Sequence, residues 1–345
     1  MKSAIVLTSI NDCSELLNGY LANLAKYGRE ASIILIPDTK TPMQDIPRGV
    51  NWPLGAEQVE FLENLKFPLA EIPWSSDNRR NVGYLMALAE GAEMIVSIDD
   101  DNFCPADHDF IGEHLAALVK HKTSVSVNGG WFNNCNLLKI MGPEFFPRGF
   151  PYYARTSLKG HKQIDQEVEV VINAGMWTGA PDIDAISWLQ RPSPVSRSHG
   201  SAVLAPDTWC PINSQNTAVM REMMAAYWFV RMDPPMDRFG DIFQGYFALK
   251  VAKHLGWTAR FGTPIVRHIR NSHVYMKDIQ KEIGPILLIE ELLPKLIEHK
   301  LTGSTVVEAY LSLADFIDAQ DAQVYRDMAR RMRLWAKKCQ GILNG

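Results

Sequence analysis

The sequence predicts an α/β protein whose functional site lies at the carboxyl ends of a parallel sheet. Three observations carry this reading. Apolar runs of strand length, "AIVLTSI", "ASIILIPD" and "EMIVSI", alternate with stretches of helical period. Helix caps and stops fall between them. The third run leads into three consecutive carboxylates, Asp99, Asp100 and Asp101. Strands alternating with helices build parallel sheets, and such sheets place ligands beyond the strand ends.

Each element follows from local chemistry. "AIVLTSI" reads as a strand buried on both faces, and "NDCSELLNGYLANLAKYG" as a helix capped by Asn11 or Asp12 and stopped by Gly28. "ASIILIPD" is a second strand ending at Asp38, and the proline- and glycine-rich "TKTPMQDIPRGVNWPLG" is loop. In "SSDNRRNVGYLMALAEGA", Ser76 or Asp77 caps a helix with Val82, Leu85, Met86 and Ala89 on one stripe and Gly91 as its stop. From Asn102 the pattern loosens. "GPEFFPRGFPYYARTSLKG" and "LQRPSPVSRSHGS" read as long loops of the functional or lid-forming kind. A helix from Asp241 to His254, a strand-like "ARFGTPIVRHI" and a helical tail follow. The expected organisation is a catalytic domain over 1–278, with halves at 1–103 and 104–278, and a helical extension over 279–345.

Composition narrows the function. The 345 residues are 46% hydrophobic and 21% charged, as in ordinary globular proteins. A net charge of −4 argues against nucleic acid as partner, because a phosphate backbone needs a basic footprint. The five cysteines are scattered, with no CxxC pair, which argues against a disulfide framework or zinc knuckle and favours a reducing, cytoplasmic setting. "MKSAIVLTSIND" has too short an apolar run for a signal peptide, and no stretch reaches the roughly 18 apolar residues of a membrane span. The segment "YRDMARRMRLWAKKC" is basic; a solvated helix face is the first reading and peripheral membrane contact the second. A homo-oligomer is compatible with all of this.

The acidic triplet asks for counter-charge, because partly desolvated carboxylates are costly unless paired or bound to metal. Along a strand, Asp99 and Asp101 would point one way and Asp100 the other, so Asp99 and Asp101 can seat a Mg²⁺ or Mn²⁺ ion; an acidic turn is the plain alternative. Arg79 and Arg80 fall at a predicted helix start, where the dipole disfavours cations unless an anion sits there. Together these suggest a bound diphosphate. Solvated arginines pairing with Asp77 or Glu90 are the alternative. Asp38 could accept hydrogen bonds from a nucleobase or ribose, or serve a turn. A phosphatase of the haloacid-dehalogenase type would carry its aspartates after the first strand, and no GxxxxGK[ST] exists for a P-loop.

This order of strand, Asp-ended strand, Arg-led helix and DDD resembles the nucleotide-binding half of GT-A (nucleotide-diphosphosugar transferase, Rossmann-like) glycosyltransferases. That resemblance implies a mixed sheet flanked by helices. Over a longer stretch the chain resembles the reversibly glycosylated polypeptides, the UDP-arabinopyranose mutases of plants. "SSDNRRNVGYLMALAEGAEMIVSIDDDNF" is similar to the family's glycine-aromatic helix followed by a strand and DDDCF, and "PRGFPYYAR" to RGYPFSLR. "GMWTGAPDIDA" resembles GLWLNIPDYDAP, and "TWCPINSQNTAV" resembles FPMCGMNLAF. "RFGDIFQGYFALKVAKHLG" and "GTPIVRHIRNSHVYMKDIQKE" resemble the family's last two blocks, which also resemble STELLO-type glycosyltransferase-like proteins. The chain has DDDN for DDDC and GDIF for DDMW.

The resemblance implies a divalent metal, Mn²⁺ or Mg²⁺, on Asp99 and Asp101 with His268 as a further ligand and His273 as a weaker rival. The expected nucleotide contacts are Thr8, Ser9, Asn11, Asp38, Arg79, Arg80, Asn81 and Asp100. Arg155 falls where the family carries its self-glycosylated arginine; binding of phosphate or sugar is an equal reading. Asp241 is either a helix cap or the base that deprotonates an acceptor. Asp182, Asp184, Asn213 and Trp177 are candidate sugar contacts, with turns and core packing as alternatives. The leading expectation is a metal-dependent glycosyltransferase using a UDP-sugar and an acceptor the sequence does not define. A pyranose–furanose mutase is the second, and a catalytically silent sugar-nucleotide-binding subunit the third.

Overall fold

The computed structural model describes residues 1–345 except 143, 156–158, 232–237 and 272–273, so His273 lies outside the described residues. Strands run over Ser3–Ser9 (β1), Ala31–Pro37 (β2), Val50–Asn51 (β3), Met94–Ile98 (β4), Asn102–Phe103 (β5) and Lys120–Asn128 (β6). Leu138–Lys139 (β7), Lys159–Gly179 (β8), Arg197–Ser198 (β9), Ala202–Val203 (β10), Asn216–Met220 (β11) and Trp257–His268 (β12) follow. The helices are Ser14–Tyr27 (α1), Gly55–Asn64 (α2), Arg80–Ala89 (α3), Phe110–Ala117 (α4), Tyr152–Arg155 (α5) and Ala185–Trp188 (α6). Gly240–His254 (α7), Tyr275–Glu298 (α8), Val306–Asp318 (α9) and Gln323–Asn344 (α10) complete the set.

The main sheet has the order β10-β12-β8-β11-β4-β1-β2-β3, with β5 added to β12 and β6 to β8. β1 pairs in parallel with β2 and β4, as their uniformly apolar sequences require when both faces are covered. β11 then runs antiparallel between β4 and β8, and β12 returns parallel to β8. The result is the mixed sheet flanked by helices, GT-A-like in outline, that the sequence predicts. β5, directly after the acidic triplet, pairs with the end of β12 and so folds that end back over the triplet.

Packing follows from small residues at tight contacts. A Cβ at Gly83 of α3 would overlap Val6 of β1 and crowd Ile36 of β2, so glycine lets this helix lie close on the sheet. α7 is buried on every side from Gly240 to Ala252, and a Cβ at Gly245 would overlap the Ile212 carbonyl oxygen. The first helix of the C-terminal region, α8, starts at Tyr275. α10 packs its apolar face, including Met328, Met332 and Trp335, into the molecule. Three of its arginines make ion pairs inside the chain: Arg330 and Arg331 with Glu71, and Arg333 with Asp315 and Asp318. Among the described residues, no helix is long and apolar enough to cross a membrane.

Two expectations of local structure need correction. α1 starts after Cys13, and neither Asn11 nor Asp12 is its cap residue, although an Asp12 oxygen accepts the Ser14 N–H at 2.8 Å. The loop expected through Gly160 gives way at Lys159 to β8, a strand of 21 residues that the sequence did not indicate. Its polar first half pairs with β6 and its apolar second half with β11 and β12.

His114 of α4 is locked between strands. Its Nδ1 accepts from the Asn173 side-chain amide at 2.8 Å, and its Nε2 donates to Asn216 Oδ1 at 3.2 Å. Burial pushes this imidazole down from 6.5 to about 3. The folded protein therefore binds fewer protons there than the unfolded chain between those values. The stability is fully present above pH 6.5 and is lost as pH falls toward 3, by at most about 1.4 kcal/mol per pH unit from this group. Urea unfolding of His114→Gln should show a flatter dependence on pH across that window than the parent; equal slopes would refute the assignment.

Candidate functional site

The carboxyl ends of β1, β2, β4 and β12 open into a cavity of about 480 Å³. It contains all three carboxylates of the triplet, together with Thr8, Ser9, Asn11, Asp38, Asp182, Asp241 and His268. β4 stops at Ile98, so the triplet forms a turn and the alternation of a strand does not apply. That is why Asp100, expected to point away, also lines the cavity.

Each member of the triplet has its own partner. Asp99 pairs with Arg80 at 2.7 Å. The guanidinium is itself fixed by Ser214 Oγ at 2.7 Å and Ser97 Oγ at 3.2 Å. Burial pushes the Asp99 carboxyl up to about 6; Arg80 opposes this, while Asp101 and Asp241 add to it. Burial works against the charge on Arg80, yet Asp99 holds it above the ordinary guanidinium range. Asp100 accepts from the Ser9 hydroxyl and from Asn11 Nδ2, the latter at 2.8 Å. Asp101 lies 3.3 Å from His268 Nε2. His268 Nδ1 donates to the Ala180 carbonyl at 2.7 Å. Burial pulls this imidazole down, but Asp101, Asp182 and the Ala180 carbonyl outweigh it and raise it overall.

The opposite wall is built around Arg148. It donates to both oxygens of Asp241, at 3.0 and 2.6 Å, and from Nε to Asp182 at 3.2 Å. Asn213 reaches the same network by donating to Asp182 at 2.7 Å. Burial acts to raise Asp182, but Arg148, His268 and Asn213 prevail and hold it below the ordinary carboxylate range. Asp241 is the second residue of α7, which begins at Gly240, so it is not the helix cap.

Several expected site residues face elsewhere. Arg79 lies in a 3₁₀ turn, Asp77–Arg79, before α3, about 100° around the axis from Arg80. It is buried, donates to the Ile72 carbonyl at 3.0 Å and to Gln58, and covers the Trp74 ring at 3.7 Å. The helix start therefore presents one guanidinium to the cavity, not two. Asn81 is clamped on the backbone of Phe229 and Trp177 is core. Asp184 caps α6 and pairs with Arg155 at 2.7 Å. Arg155 also covers the Tyr152 ring at 3.6 Å and lines a smaller pocket beyond Ile183. Asp38 lines the cavity while accepting the Ser75 and Ser76 N–H groups at 2.9 and 3.3 Å, which fixes the turn into α3.

Among the described residues, no three His, Cys, Asp or Glu side chains are gathered as ligands for a metal ion. Asp101 and His268 are nevertheless a donor pair suited to a divalent cation. The histidine is oriented by a carbonyl on its far nitrogen, as ligating histidines are. Asp99 is held on Arg80.

A family model described as "Reversibly glycosylated polypeptide" matches residues 2–342. The chain belongs to that family. UDP-arabinopyranose mutases 1 and 3 of Arabidopsis thaliana are each 26% identical over 246 residues, 69% of this chain and 64% of theirs. UDP-arabinopyranose mutase 1 of Oryza sativa subsp. japonica is 25% identical over 244 residues, 68% of this chain and 63% of its own. The matched stretch thus spans less than two thirds of each relative. A solved structure titled "Crystal Structure of a Mycobacterial Protein" has a TM-score of 0.41 at 12% identity, over 84% of this chain and 74% of the other.

For this reversibly glycosylated polypeptide, sequence reasoning missed Arg148, Arg238 and Arg270, all of which line the cavity. The signal was present: each arginine lies in a block that resembles the family, and Arg270 follows His268 by two. Removing Arg148 would leave Asp182 and Asp241 without their shared counter-charge. Arg148→Met should therefore lose roughly 3–5 kcal/mol in urea unfolding at pH 7, and Asp182→Asn in that background should restore part of it.

Proposed function

We propose that this protein interconverts the ring forms of the sugar in a UDP-sugar, as a mutase of the UDP-arabinopyranose type. Family membership and the names of the relatives support the reaction class. The observation that carries the choice over transfer to an acceptor is Asp241. Both of its oxygens accept from Arg148, so the carboxylate a transferase would use as a base is already tied to a fixed counter-charge.

In this reading Thr8, Ser9 and Asn11 border the nucleoside end, Arg80 faces the diphosphate, and Asp182, Asn213 and Arg148 surround the sugar hydroxyls. Asp101 and His268 would hold the divalent cation, Mg²⁺ or Mn²⁺, which supplies charge neutralisation at the leaving diphosphate when bound. The bond from the anomeric carbon to the diphosphate breaks with its electron pair on the phosphate oxygen. A different hydroxyl closes on the resulting oxocarbenium carbon and gives up its proton; the old ring oxygen then takes a proton and leaves that carbon. The diphosphate oxygen then re-forms its bond. No atom is gained or lost, so no acceptor is required. Arg148 and Asp182 stabilise these shifts as fixed, already oriented charges. Of the two arginines in "PRGFPYYAR", Arg148 lines this cavity and Arg155 a separate pocket.

Incubation with UDP-arabinopyranose and Mn²⁺, without acceptor, should yield UDP-arabinofuranose resolved by anion-exchange chromatography. UDP release that appears only with an added acceptor would establish a glycosyltransferase instead, and no turnover across a panel of UDP-sugars would establish a silent binding subunit. Asp101→Ala should lower turnover about 100-fold or more and weaken Mn²⁺ affinity in the folded protein. Unchanged metal affinity would remove Asp101 from the ligand set.

A further inference from the structure

Four arginines line the cavity, and three of them are neutralised within it. Arg80 has Asp99 at 2.7 Å, Arg148 has Asp241 at 2.6 Å, and Arg238 has Glu282 at 3.0 Å and Asp278 at 3.2 Å. Arg270 differs. Among the described residues its nearest carboxylate is Asp278 at 3.9 Å, already held by Arg238, and its Nη1 is buried with no hydrogen-bond partner. A buried guanidinium donor without an acceptor is costly. The side chain is nevertheless held in place: it covers the Trp188 ring at 4.2 Å and the Tyr275 ring at 5.5 Å, and those two rings stack 13° from parallel. Cation–π contact of this kind fixes a guanidinium's plane while leaving its N–H edge free.

The position in the sheet defines the occupant. Arg270 lies two residues past the end of β12, on the same side of the cavity as the Asp101–His268 pair. Asp38, at the end of β2, lies five strands away in the sheet order. We propose that Arg270 is a second phosphate-binding cation of this cavity, its guanidinium donating to the sugar-side phosphate of a nucleoside diphosphate, with Trp188 and Tyr275 as its positioning residues. This rests on the nucleotide-sugar reading above and deepens it. A phosphate in the cavity supplies the close negative charge that Arg270 lacks, and a guanidinium fork suits phosphate better than an ammonium does.

Calorimetric titration of the full chain with UDP and with UMP, in Mn²⁺, tests the assignment. Arg270→Gln should weaken UDP about 10- to 100-fold and change UMP by no more than about 3-fold, because UMP lacks the second phosphate. Arg270→Lys should recover part of the loss, and Trp188→Leu should weaken UDP with Arg270 intact. The two latter variants carry the test should Arg270→Gln fail to fold by circular dichroism. UDP binding equal to the parent in a folded Arg270→Gln, or equal losses for UDP and UMP, would overturn the assignment and leave the nucleotide-sugar reading standing. A parent protein that binds neither UDP nor a UDP-sugar would overturn both.

Discussion

The structure around the cavity depends on one constraint: carboxylates brought below the surface must meet fixed positive charge. The turn after β4 supplies three, the Pro181–Asp184 stretch and the start of α7 supply others, and the start of α8 two more. Their partners come from far along the chain. Arg80 answers Asp99, Arg148 answers Asp182 and Asp241, Arg238 answers Asp278 and Glu282, and His268 answers Asp101. Such buried pairs contribute little net stability against apolar replacements, because desolvation offsets the Coulomb gain. Their effect here is geometric. They tie β4, β12, α3, α7 and α8 to one set of positions around the opening.

The sheet makes that convergence achievable. The parallel strands β1, β2 and β4 all end on the same side, which delivers Ser9, Asp38 and Asp99 to one rim. β11 and β8 extend the sheet, so that β12 ends beside β5 and brings His268 opposite Asp101. Below the rim, α7 is apolar on all sides apart from a few hydrogen-bonded residues, and it carries Asp241 on its first turn. A rigid, close-packed helix is a good mount for a charge whose direction matters.

What was legible in the sequence follows from how local each signal is. β1, β2 and β4 are uninterrupted apolar runs, so periodicity suffices; α3 lies in the expected segment, but Ser76 caps the 3₁₀ turn before it, and the helix is buried nearly all round while Ala89 of the expected stripe is exposed. The clustering of Asp38, Arg80 and the triplet was legible because site residues in such folds sit at strand and helix ends. β8 was hidden because its first half, "KGHKQIDQE", is polar on both faces and gains its identity only by pairing with β6. Arg79 misled because two adjacent arginines look alike in sequence but point about 100° apart in a helix, one to the cavity and one to Trp74. Arg155 was drawn toward the site by the family's glycosylated arginine and Asp184 by its place beside Asp182 in "PDIDA", yet they pair with each other behind Ile183. No local signal separates these two pairs, because the separation is made by tertiary contact.

The way these charges are closed on one another bears on what chemistry the cavity suits. Transfer to an acceptor needs a carboxylate that takes up a proton where a second molecule enters, and Asp241 is instead tied to Arg148 through both oxygens. A ring isomerisation makes a smaller demand. The proton that one hydroxyl loses is gained by another oxygen of the same sugar, and the negative charge that develops stays on the departing diphosphate. What helps such a reaction is a wall of oriented dipoles and ion pairs that need not reorganise as charge moves. Asp182, Asn213, Arg148 and Asp241 form that wall on one side, and Arg80 with Asp99 forms it on the other. The same pairing that solves the folding problem of buried carboxylates thus leaves a preorganised field between two fixed faces, the field on which the proposed ring isomerisation would draw.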